Sequence, residues 1–154
     1  DSMSVGDNIA FPLREHTALS EEQIAAKVDE KLGLVRLSGI EAKLLSALSG
    51  GIRKRVALAR SLALDPEVVL FDEPTTGLDP MTSATIASLI QRIHRLGVTC
   101  IVVTHDMPLA RSVADRIAFL DGGRLRFVGT WAEAERSDDA LLSAFLAGRE
   151  EETP

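Results

Sequence analysis

Residues 68–73 read Val68-Val69-Leu70-Phe71-Asp72-Glu73: four apolar residues without a polar break, then two carboxylates. Continuous rather than alternating hydrophobicity, with β-branched and aromatic members, predicts a strand covered on both faces, as in a parallel sheet. Asp65-Pro66 breaks the chain before it, and Pro74 to Pro80 reads as loop. A second run of the same kind, Val98 to Thr104 (VTCIVVT), ends next to His105. Between the two, Asp79 and Pro80 suit an N-cap and a first helical position, and the helix they open runs to about Leu96 before Gly97. Strand, helix, strand is an α/β pattern with a mostly parallel sheet.

Toward the C-terminus, a short helix near Pro108–Ala114 leads to a third strand at Arg116–Leu120. Gly122-Gly123 then makes a hairpin turn into Arg124–Val128. Thr130 and Glu133 form a capping-box pattern, and Leu141–Leu146 lies on a last helix, with Trp131 and Phe145 as packing anchors. Toward the N-terminus, Leu48-Ser49-Gly50-Gly51 interrupts the chain just before a helical run, Ile52 to Leu64, that carries Arg53, Lys54, Arg55 and Arg60. Ser20 with Gln23 opens a helix that extends to about Leu32 and stops at Gly33. Ser38 with Glu41 repeats that signature before a short helix at Glu41–Leu45, while the first twenty residues, with Pro12 among them, read as extended or irregular. These features divide the chain into a helical subdomain with its lead-in (1–48), an α/β portion (49–148) and an acidic, frayed tail (149–154).

The whole chain has 154 residues, 45% of them apolar and 26% charged, values of a globular protein with room for a core. A net charge of −6, no Tyr and one Trp argue against a nucleic-acid partner, which needs a basic surface or stacking platforms. The single cysteine, Cys100, cannot build a disulfide framework or a Cys-rich metal site, and inside an apolar strand it reads as an inert buried thiol in a reducing compartment. No apolar stretch approaches the length of a membrane span, and the start shows no signal-peptide pattern.

Several residues could carry chemistry. A buried strand that ends in Asp72-Glu73 delivers two carboxylates where open α/β sheets bind ligands. Asp72 could hold a magnesium ion and Glu73 could orient and deprotonate a water; the alternative is a pair of carboxylates in a turn. Gly50 and Gly51 let a ligand approach the backbone at a helix N-terminus, whose N–H groups suit an anion, and the Ser49 hydroxyl could add a donor. The plainer alternative is that Ser49 caps the helix and the glycines only turn the chain. His105 could touch a terminal phosphate or be an ordinary loop residue, and Asp79 is an N-cap by default. His16 and His94 are assigned to surface or packing.

In order along the chain stand LSGG (48–51), a basic helix, an apolar run ending in DE (68–73), GLD (77–79) and a strand leading to His105. Together these resemble the nucleotide-binding subunits of ABC transporters. Leu48–Gly51 matches the family signature, Val68–Glu73 its Walker B segment, Gly77–Asp79 its D-loop and His105 its switch histidine. Residues 7–17 (DNIAFPLREHT) are further similar to the Mla-type, toluene-tolerance-like ATPases that energise phospholipid traffic between bacterial membranes. The resemblance implies part of a P-loop NTPase core with a helical subdomain, ATP and Mg²⁺ as cofactors, and a head-to-tail dimer of two ATPase subunits. It implies that Ser49, Gly50 and Gly51 contact a γ-phosphate in trans, that Asp72 organises Mg²⁺, and that Glu73 is the base or water-orienter. By the same likeness His105 contacts the γ-phosphate and water, Asp79 communicates between the two sites, and Gly6–Leu45 meets a membrane permease subunit. The setting implied is peripheral, on the cytoplasmic face of the bacterial inner membrane.

Two departures stand out. The family's phosphate-binding loop, GxxxxGK[ST], occurs nowhere in these residues, and by resemblance it, an adenine-stacking aromatic and a glutamine would all precede Asp1. The expectation is therefore the C-terminal part of an ATPase, unstable and inactive alone because the missing strand lies between Val98–Thr104 and Arg116–Leu120. Ile52 stands where the family often has glutamine, a tolerable change where backbone groups and Ser49 bind the anion. Two rival functions remain: a non-catalytic module that lends LSGG to an intact ATPase, and an ABC-type ATPase outside transport. Intact Asp72, Glu73 and His105 weigh against the first, and the lack of tandem domains or coiled coils in these residues weighs against the second.

Overall fold

The computed structural model of the chain describes residues 3–148, so the tail expected to fray at 149–154 lies outside the described residues. The chain forms two compact units, one ending at Val103 and the other beginning at Thr104.

The first unit contains α1 (Val5–His16), α2 (Glu21–Leu34), a 3-10 turn at Leu45–Ala47, α3 (Gly50–Ser61), β1 (Val68–Asp72), α4 (Pro80–Arg95) and β2 (Thr99–Val103). β1 and β2 pair in parallel, from Val68 opposite Thr99 to Asp72 opposite Val103. The ladder runs one bond further at each end, Thr99 N donating to Glu67 O at 2.9 Å and Glu73 N to Val103 O at 2.9 Å. α4 packs on β2, and α1, α2 and α3 pack on one another. Ile86, Leu89, Ile90 and Ile93 form the buried stripe of α4, at the i, i+3, i+4, i+7 spacing of an amphipathic helix. The α/β class with a parallel strand pair is as the sequence predicts.

The strands are not covered on both faces. Val69 and Phe71 are buried, but Leu70 is 74% exposed and Val68, Ile101 and Val103 share its open face among the described residues. Nor is the start irregular, for α1 occupies residues read as extended. Val5, Ile9 and Leu13 lie one helical turn apart and are all but inaccessible to solvent. Burying three such side chains is worth roughly 1.5–3 kcal/mol each. That outweighs the cost of Pro12 inside the helix, about 3 kcal/mol from a lost N–H and a carbonyl clash.

The helix expected at Glu41–Leu45 does not form either. The carbonyls of Glu41 and Lys43 accept, at 2.8 Å each, from the N–H groups of Gly6 and Val5 in the first turn of α1. The Glu41 carboxylate accepts from Gly39 N at 3.0 Å. Long-range demand from α1 thus takes the carbonyls that a local helix would use.

The second unit holds α5 (Met107–Val113), β3 (Ile117–Asp121), β4 (Arg124–Gly129), α6 (Trp131–Ala134) and α7 (Ala140–Leu146). β3 and β4 form an antiparallel hairpin with a register shift at Phe119/Leu120, and both turn residues, Gly122 (φ 52°) and Gly123 (φ 73°), lie in the left-handed region that a two-residue hairpin turn needs. The capping boxes at Ser20–Gln23 and Thr130–Glu133 are both complete. Phe145 rests on the Phe119 ring at 5.1 Å between centroids, and the Arg111 guanidinium lies 4.7 Å from the Trp131 ring. Cys100 is half-buried, and burial pushes its thiol pKa up.

Candidate functional site: an uncapped helix end beside a cleft

Seven α-helices are described, and six of them carry a side-chain N-cap: Ser4, Ser20, Asp79, Asp106, Thr130 and Asp139 each accept from an N–H of the first turn. The exception is α3. Ser49 has the extended backbone of an N-cap (φ −65°, ψ 159°), but its hydroxyl makes no capping hydrogen bond. The first main-chain bond of α3 runs from Arg53 N to Ser49 O at 2.9 Å. The N–H groups of Gly50, Gly51 and Ile52 therefore lie ahead of the helical ladder, at its partially positive end. The plainer sequence alternative, Ser49 as an ordinary cap, does not describe its side chain.

This helix end opens on a cleft of about 440 Å³, whose lining includes Ser49, Gly50, Gly51, Arg55, Asp79 and Thr82. The structure thus brings the LSGG segment and Asp79 to one place. Asp79 is exposed and caps α4, accepting from Thr82 N at 3.0 Å and from the Thr82 hydroxyl. Those bonds, the hydroxyl first, hold the Asp79 carboxyl below its ordinary range. Gly50 has open space where a side chain would project, whereas a Cβ on Gly51 would lie 2.6 Å from Thr82 Cγ2. The two glycines thus serve different ends: one leaves room, the other lets α3 and α4 meet.

Asp72 and Glu73 stand at the end of β1, outside the lining of that cleft. Asp72 is exposed and Glu73 half-buried. Glu73 has φ 44°, a sparsely populated conformation for a residue with a long side chain, and the chain turns sharply there. The turn is held from within: Thr76 N donates to Glu73 O at 3.3 Å and the Thr76 hydroxyl to Glu73 Oε2 at 3.0 Å. Lys54 of α3 holds it from without, its Nζ donating to Pro74 O at 3.0 Å and Thr76 O at 2.7 Å.

No group of three or more His, Cys, Asp or Glu side chains able to hold a metal occurs among the described residues. Asp72, an exposed carboxylate at a strand end, instead fits an ion such as Mg²⁺, which takes one or two carboxylates and completes its shell with phosphate oxygens and water. His105, the second residue of the other unit, is exposed, and Asp106 beside it caps α5 through Leu109 N at 3.0 Å.

The ABC transporter family model matches residues 1–76. A probable ribonucleotide transport ATP-binding protein, mkl, of Mycobacterium tuberculosis is 44% identical over 149 residues, covering 96% of this chain and 42% of its own length. The intermembrane phospholipid transport system ATP-binding protein MlaF of Haemophilus influenzae is 44% identical over 147 residues, covering 95% of this chain and 56% of its own. The structure of cbiO1 from Clostridium perfringens, part of the ABC transporter complex cbiONQ, superposes with a TM-score of 0.80 at 31% identity, over 95% of this chain and 58% of that one. The chain belongs to the ABC transporter ATP-binding family. It spans about half the length of the curated relatives it matches.

Sequence reasoning missed Thr82, Thr76, Lys54 and the contact of Arg55, whose guanidinium donates to Val35 O (2.9 and 2.7 Å) and Arg36 O (2.6 Å) at the end of α2. Thr82 had a local signal, three residues after an N-cap aspartate. Thr76 had a similar one, three residues after the carboxylate it bonds, whereas Lys54 and Arg55 act on carbonyls, which every residue has, so no pattern of residue types marks them.

Proposed function

We propose that this chain is part of the ATP-hydrolysing subunit of an ABC transporter that drives phospholipid traffic, working as a head-to-tail dimer docked on a membrane permease. The observation that carries it is the uncapped N-terminus of α3, open to a cleft beside Asp79, in a chain related to ATP-binding proteins of transport systems. The N–H groups of Gly50 and Gly51 and the Ser49 hydroxyl donate to the γ-phosphate of an ATP held mainly by the other subunit, where fixed donors stabilise developing charge. Asp72 contributes one carboxylate to Mg²⁺, which when bound offsets charge on the phosphate oxygens. Glu73 orients and deprotonates the attacking water, His105 contacts the γ-phosphate and that water, and Asp79 links the two sites across the dimer. Residues 1–48 are assigned to the helical subdomain and its lead-in, with Gly6–Leu45 facing the permease, and residues 49–148 to the C-terminal part of the ATPase core. The setting proposed is peripheral, on the cytoplasmic face of the inner membrane, and no helix among the described residues is long and apolar enough to cross a membrane.

The phospholipid assignment draws on MlaF and on the similarity of residues 7–17. The test is Glu73→Gln in the complete subunit with its permease. Turnover should fall by about two orders of magnitude or more while ATP binding persists. Near-normal hydrolysis would remove Glu73 from the role and favour a module that lends only Ser49–Gly51 to an intact ATPase.

A further inference from the structure

Lys54 stands on α3 within two turns of Ser49–Gly51, yet its ammonium is spent on the loop that carries Glu73. It donates to Pro74 O at 3.0 Å and Thr76 O at 2.7 Å, the carbonyls on either side of Thr75. Thr75 is 7% exposed, so the loop is anchored at its middle as well. Thr76 in turn donates its hydroxyl to Glu73 Oε2 at 3.0 Å. A continuous chain of contacts thus runs from the signature helix, through one lysine and one turn, to the carboxylate proposed as base. The backbone at Glu73 is in a strained region (φ 44°), so the turn needs such outside support to keep its shape.

We infer that Lys54 is a positioning residue: it holds the Pro74–Thr76 turn so that Thr76 orients the Glu73 carboxylate, and it ties that orientation to the signature helix of the same subunit. This rests on the functional reading above. In a head-to-tail dimer the Ser49–Gly51 end of α3 serves one ATP and Glu73 of the same chain serves the other. Movement of α3 when a γ-phosphate arrives is then passed through Lys54 to the base of the second site. Lys54 touches neither nucleotide nor water; it acts through Thr76 and Glu73.

The test uses the complete subunit in its dimer. Lys54→Met keeps the length of the side chain and removes its donors. The expected result is a kcat lower by about tenfold, KM for ATP within about twofold, and a lower Hill coefficient for ATP, because a misplaced base slows the chemical step without loosening substrate. Lys54→Arg, which restores two donors, should recover most of kcat, and the thermal midpoint of Lys54→Met should stay near that of the natural subunit. A Lys54→Met subunit with unchanged kcat and cooperativity, alongside an inactive Glu73→Gln, overturns the inference and leaves the functional reading standing. A fall in kcat that tracks a fall in thermal midpoint and is not rescued by arginine also overturns it, since the lysine would then only support the fold. If Glu73→Gln itself hydrolyses ATP normally, the functional reading fails and the positioning role fails with it.

Discussion

Thr82 occupies the space that a side chain on Gly51 would need: a Cβ there would lie 2.6 Å from Thr82 Cγ2 and 3.7 Å from its Oγ1. Thr82 cannot simply rotate away. Its hydroxyl is engaged by Asp79, and a β-branched side chain has few other rotamers. The N-termini of α3 and α4 therefore meet only because residue 51 is glycine.

Gly51→Ala should destabilise the subunit by about 1–3 kcal/mol, the range for forcing extra atoms into a packed contact. Gly50→Ala should do the reverse. Nothing lies within 4 Å of its would-be Cβ, so alanine should stabilise α3 by about 0.4–1 kcal/mol through the unfolded chain. The same methyl group would project where a γ-phosphate is proposed to sit. ATP hydrolysis by Gly50→Ala should then fall although thermal stability rises, and calorimetry paired with an ATPase assay separates the two effects.

Asp79→Ala should lower the thermal midpoint by a few degrees, because the Thr82 N–H and hydroxyl lose their acceptor at the start of α4. Asp79→Asn keeps a good cap and removes the charge. It should keep the midpoint near that of the natural subunit, so any loss of ATP turnover in Asp79→Asn reports the carboxylate's proposed part in linking the sites rather than helix capping.

Asp65 gives the first unit a pH-dependent tie. Its carboxylate accepts from both Lys27 and Lys31 of α2, and Lys31 is 3% exposed. The lysine hydrogen bonds, Lys27 first, lower the Asp65 pKa from its ordinary value. A lowered folded-state pKa means that this stabilisation is complete above the unfolded aspartate value, about 3.9, and is lost as pH falls through the lower folded one. Burial pulls the Lys31 pKa down, but Asp65 and Glu30 outweigh it and leave it raised. That contribution is complete below the unfolded lysine value, about 10.4, and is lost as pH rises through the raised one. Between those limits the pair contributes fully. Asp65→Asn should reduce the thermal midpoint on this plateau and flatten its decline below about pH 4, which a series of melts across pH would reveal.

What could be read directly from residue order was whatever closes within a few residues. The Ser20–Gln23 and Thr130–Glu133 boxes, the Asp79-Pro80 start of α4 and the Gly122-Gly123 turn all satisfy their groups locally. The candidate site was proposed from equally short motifs, LSGG, DE, GLD and His105, whose joint order resembles the ABC family although each one alone also has a plain structural reading. The errors fell where distant partners decide. α1 forms around Pro12 because Val5, Ile9 and Leu13 find a core, and residues 41–45 stay out of a helix because α1 takes their carbonyls.

Sequence alone therefore determined the α/β class and the locally capped starts of α2, α4 and α6, and it supplied the residues proposed to meet a nucleotide, since these depend on local hydrogen bonding and side-chain chemistry. Tertiary structure alone decided that Ser49 caps nothing, that Gly51 faces Thr82 and that Lys54 reaches the Glu73 turn. Each of these is a meeting of groups at least twenty residues apart or a bond left unmade. Packing and competition for donors settle such things, and residue order does not encode them at short range.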